Sequence, residues 1–359
     1  MDARGGGGPP GRARLDLAGL NRVLVVNAGS TSLKLSVVDN DDESEDVRSV
    51  DRLPSDVDGV AHRVVHGGGS FRGPVVIDDR VEDELRRLVE LAPLHNAPAV
   101  AAIDAVRRSL PDVPHVAVFD TAFHATIPAL AATYALPRKL REERGIRRYG
   151  FHGLSIQWAA ERVPVDRLVV CHLGGGCSVT AVLRGKSVDT TMGFTPLEGV
   201  PMATRSGSVD PGAVLHLARN GMSAEALERV LEHESGLAGL SGTSGDVREL
   251  ERSAADDDDA RLALDVYTYR IASAVAGMTV PLGGLDALVF TAGVGEHSSF
   301  VRGRVCARLA HLGVVVDDTL NSGAEPDADV QEAGSRARVV LVHAREDVVA
   351  ARAARTLLD

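Results

Sequence analysis

A chain of 359 residues, 44% hydrophobic and 25% charged, has the composition of a soluble globular protein and the length of about two domains. Its formal net charge of -11 argues against a nucleic-acid partner, and no apolar run approaches the ~20 residues of a membrane span. The three cysteines, Cys171, Cys177 and Cys306, are too sparse for a disulfide framework and suit a reducing, cytoplasmic setting.

Residues 1–20 hold Gly5–Gly8, Pro9 and Pro10 among charges; without an apolar core they predict a disordered leader, not a signal peptide. From Arg22 the pattern changes. Val23–Val26 predicts a buried strand, Asn27–Ser32 a polar turn, and Leu33, Leu35 and Val37, alternating with Lys34 and Ser36, a second strand. The acidic stretch Asn40–Asp51 predicts a surface loop. Val81, Leu85, Leu88 and Ala92 share one helical face, and Val116–Phe119 predicts a strand. The strand–turn–strand unit then recurs: Leu168–Cys171, the turn His172–Gly176, and Val179, Ala181 and Leu183. Ser223 predicts an N-cap, Ser253–Asp259 a solvated acidic loop, and Leu264, Tyr267, Ile271, Val275 and Met278 a long helix. Further strands are expected at Ala287–Thr291 and Val339–Val342. The mixture predicts an α/β protein. The repeated hairpin predicts a duplicated domain that holds phosphate between its halves.

Common nucleotide and hydrolase signatures are missing. No G-x-x-x-x-G-K-[ST], G-x-S-x-G or H-E-x-x-H occurs. The G-x-G-x-x-G at Gly6, Gly8 and Gly11 has no strand before it. The chemistry-bearing residues lie elsewhere. Asn27, Ser30, Thr31 and Ser32 offer short donors in the first turn, with the charge of Lys34 beside them. Gly174–Gly176 and Thr291–Glu296 are glycine turns after strands, where backbone N–H groups reach phosphates. Arg63, His152 and Arg205 each sit among glycines or small residues, placed to reach into a cleft and meet the spread charge of a phosphoryl group in transfer. Asp120 and Glu346 follow predicted strands, where carboxylates hold Mg²⁺ directly or through water. Each signal has an ordinary reading as turn, cap or surface pair; together they converge on phosphoryl transfer.

These stretches resemble the acetate kinase family, in order from about residue 22 to the C-terminus. The most specific are Arg147–Gly153, Thr195–Gly199 and Thr204–Gly207. The resemblance implies duplicated actin-like ATPase domains around a nucleotide cleft, with residues 21–155 plus 347–359 forming one domain and 156–346 the other. It implies ATP-dependent, reversible phosphorylation of a short carboxylate, acetate first, with Mg²⁺ (or Mn²⁺) as the ion and a homodimer as the assembly. Asp120, His152 and Arg205 would be catalytic. Arg63 would bind the carboxylate, and Val65, Leu94, Phe151 and Pro196 would enclose its alkyl group. Lys34, His172, Leu173, Gly174, Gly175, Gly176, Asp246, Val247, Arg248, Gly293, Val294, Gly295, Glu296 and His297 would line the nucleotide site. Asn27 and Glu346 would serve the metal. Propionate or butyrate phosphorylation is the near alternative, a catalytically weak nucleotide-binding protein the second, and a sugar kinase of the same superfamily the third. The sequence departs from the family pattern at Gly175, Cys177, Val247, Ala292 and His297, around Glu346, and in a shortened segment between Asp39 and His62.

Overall fold

A computed structural model of the chain describes residues 20–29, 33–90 and 92–359, apart from the side chains at 51 and 93–95. The predicted leader, except Leu20, and the turn residues Ser30, Thr31 and Ser32 lie outside the described residues. Leu20 is buried against the C-terminal helix.

The architecture is two six-stranded sheets with helices on their faces. The first contains β1 (Val23–Ala28), β2 (Leu33–Val38), β3 (Ser44–Val47), β4 (Gly59–Val64), β5 (Val75–Val76) and β6 (His115–Phe119), in the order β3-β2-β1-β4-β6-β5. The second contains β7 (Arg167–Leu173), β8 (Cys177–Leu183), β9 (Lys186–Thr190), β10 (Ala287–Thr291), β11 (Ala328–Asp329) and β12 (Arg338–Val342), in the order β11-β12-β10-β7-β8-β9. Replacing β1 by β7, β2 by β8, β3 by β9, β4 by β10, β5 by β11 and β6 by β12 turns one order into the other. Strand senses also match: each sheet has an antiparallel hairpin joined to parallel strands. The predicted duplication is therefore present.

Two helices cross between the halves. Gly153–Arg162 follows the first sheet but packs on β7 and β10 of the second. Its Ile156 and Ala159, with the following Val163, bury against Leu168, Val170 and Val289. Glu346–Leu358 follows the second sheet but packs on β1 and β4 of the first, through Val348, Val349, Ala351 and Ala354. The helices also pack on each other. Covered on both faces, β7 and β10 carry continuous apolar runs at Leu168–Cys171 and Ala287–Phe290. The same burial explains the blurred alternation of β8: Val179 and Ala181 enter one core cluster and Val182 another.

Three expectations need correction. The acidic stretch after Asn40 contains β3, an edge strand whose backbone pairs with β2 while Ser44, Glu45 and Asp46 stay exposed; charge suits an edge, where it deters further pairing. The face from Val81 to Ala92 is broken, because the Asp79–Arg87 helix passes into a 3-10 turn at Leu88–Glu90 and a new helix starts at Pro93. The expected acidic loop after Ser253 is shorter than predicted: residues 254–257 connect two helices, and Asp258 and Asp259 already belong to the second. Asp257 accepts the N–H groups of Asp259 and Ala260 as the N-cap of Asp258–Leu282, whose first turn carries Asp258 and Asp259 against the helix dipole. Ser223 caps its helix as expected, accepting the Ala226 N–H at 3.2 Å. Among the described residues, no helix is long and apolar enough to cross a membrane.

Candidate active site

Asn27, Lys34, Arg63, His152, His172, Gly174, Gly175, Gly176, Gly293, Glu296 and Glu346 line a single cleft of about 990 Å³. Strand register assembles its floor. Asn27 on β1 lies opposite Lys34 on β2 and Arg63 on β4. Asp120 follows β6, the next strand, and Glu346 opens the C-terminal helix packed above β1 and β4. The Arg63 guanidinium donates from Nε and Nη2 to the two Asp120 oxygens at 2.8 and 2.6 Å, and from Nη1 to Asn27 Oδ1 at 2.8 Å. Asn27 Nδ2 donates to Glu346 Oε2 at 3.4 Å, and Glu346 lies 3.8 Å from Arg63 Nε.

Charge is tightly balanced here. Burial pushes the Asp120 carboxyl up, while Arg63 pulls it back. Burial opposes ionisation of Glu346 as well, but the charges of Arg63 and Lys34 and the Asn27 hydrogen bond hold it below the usual carboxylate range. Burial would lower Arg63; Asp120 and Glu346 keep it above its ordinary value.

His152 reaches the cleft from a strained turn. Its φ of 60° is left-handed, and it stands at the N-cap of Gly153–Arg162. Gly153 donates its N–H to the Asp120 carbonyl at 3.0 Å. A Cβ at Gly153 would overlap that oxygen, so glycine is required. The His152 ring stacks on His172 with centroids 3.9 Å apart. Their Nδ1 atoms pair with Ser178 Oγ at 3.0 Å and Ser155 Oγ at 2.9 Å. Burial pushes both imidazoles below their ordinary pKa; His172 and the neighbouring arginines add to this at His152, whereas at His172 Glu346 opposes it and Arg63 adds to it, so both rings favour the neutral form at pH 7.

Arg205 meets His152 at Gly176. A Cβ built there would lie 3.3 Å from His152 Nε2 and 3.6 Å from Arg205 Nη1. Arg205 Nε donates to Glu232 Oε2 at 2.6 Å, and Glu232 is buried. Sequence reasoning did not find Glu232: it lies 27 residues from Arg205, and nothing in its local pattern marks the contact.

Val65, Phe151 and Pro196 are buried and, unlike His152, are not among the residues lining the cleft; the side chain of Leu94 lies outside the described residues. His66, also missed, packs edge-on to Phe151 and Tyr149. Its Nδ1 accepts the Gly68 N–H at 2.9 Å, so Nε2 carries the proton toward the Phe194 carbonyl at 3.2 Å.

Several predicted nucleotide residues do not face the cleft. Leu173 and Val247 are core residues, and Gly295 backs onto Phe290. Val294 packs partly against that core, and His297 is exposed at the end of its short helix. Asp246 caps the Val247–Ser253 helix and pairs with the exposed Arg248. Glu296 lines the cleft but uses its carboxylate as a brace: it accepts from the N–H groups of Ala292 and Ala344, both at 2.9 Å, and pairs with His343 at 2.8 Å.

The departures have structural readings. Gly175 faces open space, with nothing within 4 Å of a Cβ built there. The Cys177 thiol contacts the Gly174 carbonyl at 3.4 Å and the Tyr267 hydroxyl at 3.2 Å, and burial pushes it up to about 11. Ala292 adopts a left-handed φ of 65°, where glycine would be unstrained.

A family model described as the acetokinase family matches residues 45–352. An acetate kinase of Synechococcus sp. (strain JA-2-3B'a(2-13)) is 47% identical over 85% of this chain and 78% of its own. An acetate kinase of Nostoc punctiforme is 44% identical over 92% of this chain and 86% of its own. Among solved structures, a propionate kinase from Francisella tularensis superposes with a TM-score of 0.87 at 32% identity, covering 94% of this chain and 100% of that one. Porphyromonas gingivalis acetate kinase gives 0.84 at 31%, with the same coverage. At these identities and over this span, the chain belongs to the acetokinase family.

Proposed function

We propose that the chain transfers the γ-phosphoryl group of ATP reversibly and in line to acetate, giving acetyl phosphate and ADP. The observation that carries this reading is that Arg63 and His152 line one cleft with the Gly174–Gly176 turn, and Arg205 reaches that turn at Gly176. Acetate is already a carboxylate near neutral pH and needs no base to attack phosphorus. Catalysis then consists of positioning and charge stabilisation. Arg63 orients the acid, and Asp120 and Asn27 orient Arg63. Neutral His152 and cationic Arg205 receive the charge that develops on the equatorial oxygens. Lys34, His172 and the glycine turns hold the nucleotide phosphates. Buried Val65, Phe151 and Pro196 enclose the methyl group.

Asn27 and Glu346 suit Mg²⁺ (or Mn²⁺), being hard oxygen donors beside a phosphate-sized cleft. Among the described residues, no three His, Cys, Asp or Glu gather into a metal-holding group. When bound, the ion neutralises phosphate charge. The proposed domains are 21–155 with 347–359, and 156–346. A homodimer is supported by the Pro211–Arg219 helix, which buries none of its residues and exposes Leu215 and Leu217 near exposed Val209. Three buried free thiols support a cytoplasmic location.

Hydroxylamine trapping with ATP, Mg²⁺ and acetate, propionate or butyrate tests the activity. Acyl phosphate strongest with acetate and lost in Arg205→Ala supports the proposal; strongest signal with a longer acid reassigns the substrate. No signal with any acid overturns it.

A further inference from the structure

Arg148, Glu198 and Tyr134 form a polar network outside the cleft, with no part in the scheme above. Arg148 Nη1 donates to three successive carbonyls, those of Thr190, Thr191 and Met192, at 2.9, 2.8 and 3.1 Å. Its Nη2 donates to Glu198 Oε1 at 2.7 Å. The other Glu198 oxygen accepts from the Tyr134 hydroxyl, which itself accepts the Phe194 N–H at 3.0 Å. The guanidinium also lies over the Tyr134 ring, 5.6 Å from its centroid. One fork thus satisfies the end of β9, and one carboxylate balances it.

The network grips a loop. Residues 193–198 run from the end of the β9 segment to Glu198 itself. A side chain at Gly193 would overlap both the Glu198 carboxylate and the Tyr134 hydroxyl, so the backbone is drawn tightly against the pair. On its other side, the loop reaches the site. The Gly193 carbonyl accepts the N–H groups of Tyr149 and Gly150 at 3.0 and 3.4 Å. The Phe194 carbonyl accepts from His66 Nε2. Tyr149 and Gly150 immediately precede Phe151 and His152. The loop is therefore clamped between the network and the turn that carries the catalytic imidazole, with Pro196 buried inside it.

We propose that Arg148, Glu198 and Tyr134 are positioning residues that set the acid-length selectivity of the site. They hold the 193–198 loop, and with it Pro196, against Phe151 and the His152 turn. This rests on the carboxylate-kinase reading above. A loosened loop widens the alkyl pocket and costs affinity for the smallest acid. A longer acid recovers contact with the displaced wall and loses less. The nucleotide side, built on the Gly174–Gly176 turn and β10, is untouched.

The test compares wild type with Glu198→Gln and with the milder Tyr134→Phe, which removes one hydroxyl. Steady-state kinetics with acetate and propionate are combined with hydrogen exchange. In Glu198→Gln, loss of one charge-assisted bond is expected to raise KM for acetate about tenfold and to shift the acetate-to-propionate ratio of kcat/KM toward propionate. KM for ATP should stay within twofold, a margin of about 0.4 kcal/mol. Tyr134→Phe should move in the same direction by less. Exchange should quicken at 193–198 and at 149–152 together. Unchanged acetate KM and acid ratio, despite a lowered melting temperature, would make the network merely structural and overturn the proposal. Faster exchange at 193–198 alone would refute the link to the His152 turn. If wild type makes no acyl phosphate with any acid, the kinase reading has failed and the selectivity claim falls with it; the exchange data still decide the clamp.

Discussion

Arg63 and Asp120 meet in a two-point ion pair, with Asp120 buried and both of its oxygens occupied. A carboxylate so engaged is poorly placed to remove a proton, and an acid substrate has none to give. In the proposed reaction Asp120 would act through Arg63. Asp120→Asn should lower kcat/KM for acetate about 10²-fold or more, because the fork loses its charged partner. The pH–rate profile should keep its acid limb. If the limb disappears, Asp120 is a general base and this assignment fails.

Arg205 is aimed by Glu232, and the two contributions are separable. Arg205→Ala should reduce kcat by about 10²-fold or more, with little change in KM for ATP. Glu232→Gln keeps a hydrogen bond but removes the charge, and should cost about tenfold. Equal losses in the two variants would show Glu232 to be more than an orienting group.

The glycines of the site divide into required and tolerated positions. Gly153→Ala forces a Cβ onto the Asp120 carbonyl and should destabilise by about 1–3 kcal/mol, displacing His152 and depressing kcat. Gly175→Asn enters open space and should fold with an unchanged melting temperature, adding a donor beside the phosphates and lowering KM for ATP. Thermal denaturation and kinetics of the two variants check both statements.

Acid should weaken the fold through its buried histidines. Burial lowers His66 and His124 to about 4. His124 is held neutral between the Ser187 hydroxyl and the Phe151 carbonyl, both at 2.8 Å. Because the folded pKa lies below the unfolded value near 6.5, the unfolded chain binds more protons as pH falls. The stability is fully present above about pH 6.5 and is lost progressively toward pH 4, by up to about 3 kcal/mol for each residue. Melting temperature should fall across that window. His124→Gln should be less stable at pH 7 but show a shallower decline; an unchanged slope would remove His124 from this account.

Much of this was legible before any coordinates. The two Gly/Ser hairpins announced the duplication, because a turn between apolar runs is a local event. Strand ends at Phe119, Thr291 and Val342 lie where their apolar runs stop. Asn27, Arg63, His152 and the Gly174–Gly176 turn do share a cleft. The acidic stretches misled for a physical reason: β3 is held by backbone pairing to β2, which side-chain charge does not report. The aspartates after Ser253 likewise serve as a cap and first turn.

The sequence by itself determined the local parts: which runs form strands, where glycine permits a turn, and which residues carry charge. Tertiary structure alone decided which of them meet. Two crossing helices bring His152 and Glu346 to one opening. Parallel register sets Arg63 beside Asn27. Glu232 reaches Arg205 from a separate helix. Val247 turned inward and Glu296 became a brace. Each outcome depends on burial and on partners tens to hundreds of residues away, which local propensity does not encode.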